Sequence, residues 1–357
     1  MSALAGQVLL SRGRFSVLVS RRSSIVAVGL LAAVLALAVL STALGTRLIP
    51  LSDVLTGLLG TADRTLTLTV REFRLPRTVV AVLVGTALGV SGALTQALTR
   101  NPLASPDVLG VVSGASAGAV LVLIAAGGAT AGYGGAAAGL SRIGVPLGAV
   151  AGALLSAALV LGIASRRIGA LPGTQRVVLV GILLNAVFLG LVQWALTVGD
   201  VDQAAKAAVW LTGSLHGRGW EHATAVGLTL AVLLPPALLM RRPLESVVLG
   251  EDVAVALGVP VCRLRMLLFT LAFALAGTAV AAAGAVSFVA LLAPPLARRL
   301  TRSAAPLLAA GLVGAVLLLT ADIVARYAVP GHELPAGAVT ALVGAPVLLV
   351  LLTTGRT

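Results

Sequence analysis

The sequence predicts an all-α integral membrane protein of about ten transmembrane helices with both termini in the cytoplasm. Three observations lead there. Of 357 residues, 59% are hydrophobic and only 10% are Asp, Glu, Lys or Arg, for a mean hydropathy of +1.09. The apolar residues gather in runs close to the ~20 residues that a helix needs to cross a bilayer. Runs such as Ile25 to Leu40 are apolar on every face, which excludes the period-two alternation of a membrane β-barrel.

Residues 1–24 carry Arg12, Arg14, Arg21 and Arg22 and read as a cytoplasmic N-terminal tail; 25–357 then form a single transmembrane domain. The first apolar run, 25–44, is longer than the ~7–15 residues of a signal-peptide core, so it reads as a retained helix. Further runs lie at 76–98, 107–126, 144–165, 177–198, 223–240, 264–283, 285–297, 305–325 and 336–352. The run at 285–297 is short and holds Pro294 and Pro295, so a broken helix is expected there. Between Gly127 and Gly144, seven glycines read as an outside loop.

Charge fixes the orientation. With the N-terminus inside, the cytoplasmic segments hold 16 of the 25 basic residues and a net charge of +12, against +1 outside. That asymmetry is the positive-inside signal. It also accounts for the overall +13 without nucleic acid, because the 24 Arg and one Lys lie in short clusters between apolar runs. Glycines at four-residue spacing, at Gly85 and Gly89, at Gly110, Gly114 and Gly118, and at Gly148 and Gly152, predict close helix packing.

Several chemistries are excluded. One cysteine, Cys262, allows no disulfide framework, and His216, His222 and His332 are too scattered to bind a metal with it. A phosphate-binding loop needs a Gly-rich turn followed by Lys and Ser or Thr, yet the only lysine, Lys206, lies in Gln-Ala-Ala-Lys-Ala-Ala. ATP and Mg therefore belong on a separate subunit, and this chain is expected to bind no cofactor of its own. No serine-hydrolase or zinc-protease string occurs, and no catalytic residue is assigned.

Three features stand out against the apolar background. Asp322, with Arg326 at i+4, is the one acid near a span interior, and reads as a local ion pair or as an ion-coupling site. Arg71-Glu-Phe-Arg-Leu-Pro-Arg77 puts arginines on the face that should be poor in them, for interfacial anchoring or for docking an acidic partner. The polar interruption 241–265 contains a stretch bracketed by Gly250 and Gly258, a short helix with Glu251 and Asp252 in its first turn. Val253, Ala256 and Leu257 give that helix an apolar face, as a structural loop or as a dock for a cytoplasmic partner.

Taken together, Arg74-Leu-Pro-Arg-Thr78, Gly89-Val-Ser-Gly-Ala-Leu-Thr-Gln96, Asn101-Pro-Leu-Ala-Ser-Pro-Asp-Val-Leu-Gly110, Ser113-Gly-Ala115 and Trp210-Leu-Thr-Gly-Ser214 form an ordered set. It continues through Leu249-Gly-Glu-Asp-Val-Ala-Val-Ala-Leu-Gly258, Ala321-Asp-Ile-Val-Ala-Arg326, Glu333-Leu-Pro-Ala-Gly337 and Thr340-Ala-Leu-Val-Gly-Ala-Pro346. From about Leu75 onward the chain resembles the FecCD or BtuC-like permease subunits of ABC importers for iron-siderophore complexes, haem and cobalamin.

The resemblance implies the BtuC-like permease fold in the inner membrane, a second permease subunit, two cytoplasmic ATPases and an extracytoplasmic binding protein. It makes Gly250, Glu251, Asp252, Ala254, Leu257 and Gly258 the ATPase-coupling element. It turns Arg74, Arg77 and Arg326 toward acidic residues of the binding protein, with Asp322 orienting Arg326. Pro172, Gly173, Thr174 and Gln175 become a cytoplasmic gate. One departure is Ala290 and Pro295 in Phe288-Val-Ala-Leu-Leu-Ala-Pro-Pro-Leu-Ala-Arg-Arg-Leu300, where many members have Gly and His. That form is more like the second subunit of ferric-catecholate importers, which favours a heterodimer and a ferric-siderophore cargo. Cobalamin or haem import, an ion-coupled carrier acting alone and a membrane enzyme are the alternatives.

Overall fold

The computed structural model describes residues 7–12, 15–45, 48–127, 136–165, 174–329 and 332–354. Its first element is an antiparallel hairpin of β1 (Gln7–Arg12) and β2 (Phe15–Ser20), with Gln7 opposite Ser20, where a plain tail was expected. The rest is helical. In chain order the helices are α1 (Arg21–Ala43), α2 (Leu51–Leu59), α3 (Arg64–Leu68), a π-helical turn (Thr69–Arg74), α4 (Leu75–Thr99), α5 (Val111–Gly127), α6 (Ala136–Ala164) and α7 (Thr174–Val198). They continue as α8 (Val201–Leu211), α9 (Trp220–Leu239), α10 (Arg241–Leu249), α11 (Glu251–Ala256), α12 (Val261–Ala283), α13 (Val289–Thr301), α14 (Leu307–Tyr327) and α15 (Ala336–Thr354).

A helix occupies each of the ten apolar runs, and among the described residues seven helices are long and apolar enough to cross a membrane. Val111–Ala125 and Ala336–Leu351 are shorter apolar helices, and α13 has only 13 residues. The break expected at Pro294 and Pro295 does not occur there, since both prolines lie inside a continuous α13; the chain is interrupted instead at 284–288, where Phe288 sits in the left-handed region with φ 65° before α13 begins. Helix α6 starts at Ala136, inside the stretch read as a loop.

Helix α4 is the axis of the bundle, with almost every side chain from Val84 to Thr99 buried. Its polar groups are spent on neighbours: Ser91 Oγ donates to Ala272 O at 2.5 Å in α12, and Gln96 Nε2 to Leu291 O at 3.0 Å in α13. The glycine ridges do what their spacing predicts. A Cβ at Gly85 would lie 2.5 Å from Gly314 O, and one at Gly114 would lie 2.7 Å from Gly152 O, so α4 meets α14, and α5 meets α6, backbone to backbone.

Helices α2, α3 and α8 were not foreseen. They are too short to show as apolar runs, although Asp63, whose carboxylate accepts from Leu66 N–H at 3.4 Å, is a legible cap for α3.

Candidate functional site

The two ends of the bundle carry different chemistry. At the arginine-rich end, α10 and α11 form one compact segment between α9 and α12. Gly250 and Gly258 bracket α11 as the sequence predicts, with φ of 156° and 77°; at Gly258 only a residue without Cβ adopts the turn freely. The turn is closed by Gly258 N–H donating to Val255 O at 2.9 Å and Val259 N–H to Ala254 O at 2.9 Å. Ala254 is fully buried and, with Leu244 and Val247, seats the segment on the core.

The opposite face of the segment is open. Leu249 is 76% exposed, Val253 46%, Val255 58% and Leu257 67%, and Asp252 and Ala256 are exposed beside them. The apolar face read from Val253, Ala256 and Leu257 is therefore present, and Leu249 and Val255 widen it.

Glu251 points back toward the bundle. Its Oε1 accepts from Arg265 Nη2 at 2.6 Å and lies 4.0 Å from Arg100 Nη2. The hydrogen bond from Arg265, helped by the charges of Arg265 and Arg100, holds the Glu251 carboxyl below its ordinary range against the opposing effect of burial. Arg265 is 2% exposed, and its Nε and Nη1 are sealed from solvent with no acceptor among the described residues. Arg100 ends α4 in the left-handed region and donates through Nε and Nη2 to Val247 O at 3.1 and 2.6 Å. The burial of Arg265 had no signal in the sequence, where it counts only as a topology charge.

The other end holds an ion cluster. Asp322, completely buried in α14, pairs with Arg326 one turn on and with Arg77 Nη2 of α4 at 2.9 Å. Arg77 Nη1 also meets Glu333 Oε2 at 3.1 Å, and Glu333 bonds His216 Nδ1 at 2.9 Å. Burial pushes the Glu333 carboxyl up, but the bond from His216 and the charge of Arg77 outweigh it and leave it below its ordinary range. Arg326 Nη1 donates to Ser41 O at 3.0 Å, and Arg74 Nη1 to Thr42 O and Ala43 O at 3.1 and 2.9 Å. The three arginines expected on an outer docking face are thus engaged inside the chain, lacing the ends of α1, α4 and α14 together. The Asp322–Arg326 pair is the local one the sequence suggested; Arg77 and Glu333 join it only in three dimensions.

Of the gate residues, Pro172 and Gly173 lie outside the described residues, Thr174 opens α7 and Gln175 is exposed. Asp107, in the turn before α5, is a group that sequence reasoning counted only as a charge. Its Oδ1 is sealed from solvent with no partner among the described residues. Burial raises its carboxyl to about 7, partly offset by the backbone N–H of Phe288. Ala290 lies where α13 crosses α4 so closely that its carbonyl abuts Gly92, while Pro295 is half-buried within α13.

Among the described residues no group of three or more His, Cys, Asp or Glu is placed to hold a metal. An apolar groove lined by Phe288, Leu292, Leu317, Val324, Val339 and Val343 has a volume of about 140 Å³, well below the ~300–1,000 Å³ of small-molecule sites.

Comparison with known proteins fits this architecture. Residues 31–354 match the model of the FecCD transport family. The chain is 36% identical over 335 residues to the ferric enterobactin transport system permease protein FepG of Escherichia coli, covering 94% of this chain and 97% of that one. It is 38% identical to the Fe(3+)-citrate import system permease protein YfmE of Bacillus subtilis over 93% and 96% of the two chains. The vitamin B12 import system permease protein BtuC of Salmonella paratyphi A is 37% identical over 79% of this chain and 82% of its own. Among solved structures, an inward-facing metal-chelate type ABC transporter superposes with a TM-score of 0.80 at 27% identity, over 93% of this chain and all of that one. With its crossing helices and these relatives, the chain is a multi-pass membrane permease that belongs to the FecCD transport family.

Proposed function

We propose that this chain is one of two permease subunits in an ATP-driven importer that carries ferric-siderophore complexes into the cell. The observation that carries the reading is the exposed apolar face of Leu249, Val253, Val255 and Leu257 on the α10–α11 segment. Such a face on a polar connection needs a cover. An ATPase that binds ATP and Mg on its own residues provides one. Gly250, Asp252, Leu257 and Gly258 form the docking element, with Ala254 buried beneath it, and the excess of basic residues assigned to that side supports a cytoplasmic position for it and for both termini.

The ferric cargo is suggested by relatives named for ferric enterobactin and ferric citrate. A path formed between two different permease subunits suits the small size of the groove within this one. Pro172, Gly173, Thr174 and Gln175 close its cytoplasmic end. On the outer side, the rim held by Arg74, Arg77 and Arg326 seats the extracytoplasmic binding protein.

Reconstitution tests the reading. The chain purified with its ATPase and partner permease, and supplied with its binding protein, should drive uptake of ferric enterobactin or ferric citrate into proteoliposomes only with ATP. Uptake by the chain alone, driven by an ion gradient, would establish a carrier instead.

A further inference from the structure

The α10–α11 segment is joined to the bundle in two physically different ways. Leu244, Val247 and Ala254 are buried apolar contacts, which are non-directional and permit sliding. Two charge-assisted, directional links add to these: Arg100 Nε and Nη2 tie α10 to the end of α4 through Val247 O, and the Glu251–Arg265 bond, at 2.6 Å, ties α11 to α12. The arginine end of the Glu251 bond is the more constrained, because Arg265 is 2% exposed and Nε and Nη1 have no acceptor, so Glu251 is the one carboxylate bonded to this guanidinium among the described residues. Pulling Glu251 away would leave a buried cation unpaired, which is strongly unfavourable. Arg265 therefore follows Glu251 when α11 is displaced.

From Arg265 the displacement has a continuous route. Arg265 lies in the second turn of α12; α12 is bonded to α4 through Ser91 Oγ and Ala272 O; α4 is bonded to α13 through Gln96 and Leu291 O, and Arg298 Nη2 returns to Gln96 Oε1 at 2.7 Å. Arg100, 4.0 Å from the same Glu251 oxygen, offers the carboxylate a second position on the end of α4.

We infer that Glu251 is a positioning residue that faces inward: its bond to Arg265 makes α11 and the foot of α12 move as one body, and the exposed apolar face, not Glu251, holds the ATPase. This rests on the proposed docking of an ATPase at α11.

The test uses the full complex, purified from native membranes through a tag on this chain. Spin labels are placed on the exposed native Cys262 at the start of α12 and on Arg242→Cys, exposed on α10 of the same compact segment and outside the docking face, and their separation is read without nucleotide and with a non-hydrolysable ATP analogue. With Glu251 present the separation should stay constant between the two states; in Glu251→Gln it should change, the ATPase should still co-purify, and ATP-driven uptake should fall about tenfold, within the usual range of coupling between sites. Loss of the ATPase from the Glu251→Gln complex, or the same label separations in both proteins, would overturn the inference. If no ATPase accompanies the unsubstituted chain, the importer reading itself fails, and this link with it.

Discussion

Arg77 Nη2 lies 2.9 Å from Asp322 Oδ1, tying the outer end of α4 to α14 across 245 residues of sequence. Asp322 is fully buried and shared with Arg326, so one carboxylate balances two cations in a place where water does not. The chain thereby fastens two of its most closely packed helices where their glycine ridge runs out.

Asp322→Asn should lower stability by about 3 kcal/mol, because it leaves the largely buried Arg326 without its carboxylate and Arg77 with Glu333 alone. Thermal unfolding of the purified protein in detergent checks this. An ion-coupling role would show differently, as a folded protein whose transport no longer depends on an ion gradient.

Gly85→Leu should cost about 3 kcal/mol and reduce the folded yield in membranes, since even a Cβ there lies 2.5 Å from Gly314 O. Gly190, with nothing near its missing Cβ, is the control: Gly190→Ala should be stable.

Asp107 should give the fold a pH dependence. Its folded carboxyl titrates near 7 against 3.8 when unfolded, so its stabilising contribution is full below the unfolded value and is lost as pH rises through 7. Asp107→Asn should flatten melting temperature between pH 5 and 8 and stabilise the protein above pH 7 by roughly 2 kcal/mol. Melting curves across that pH range decide it, and an unchanged slope would contradict the assignment.

Charge on the exposed face should separate docking from folding. Val253→Glu with Leu257→Glu replaces residues that are 46% and 67% exposed, so unfolding should be unaffected while ATPase recovery on co-purification falls about tenfold or more.

Much of this was legible in the sequence because membrane spans and their packing are written in local composition. The ten apolar runs, the glycine ridges and the Gly250–Gly258 bracket each depend on residues close together in the chain. What escaped were relationships between distant segments. Arg265 looks like any topology arginine until α12 folds beside α11, and Arg77 looks like an outer docking charge until α14 brings Asp322 under it. Asp107 is an ordinary loop acid until the start of α13 closes over it. Burial of a single charge is a tertiary property, and no local pattern announces it.

The most direct test of the central claim is uptake of radiolabelled ferric enterobactin, ferric citrate, cobalamin and haem by cells lacking this chain, in iron-poor medium. The account predicts that uptake of a ferric chelate is lost, returns with the intact gene, and does not return when the chain carries Val253→Glu and Leu257→Glu. Loss of cobalamin or haem uptake alone would contradict the ferric cargo, and uptake restored by the doubly substituted chain would contradict an importer driven through α11.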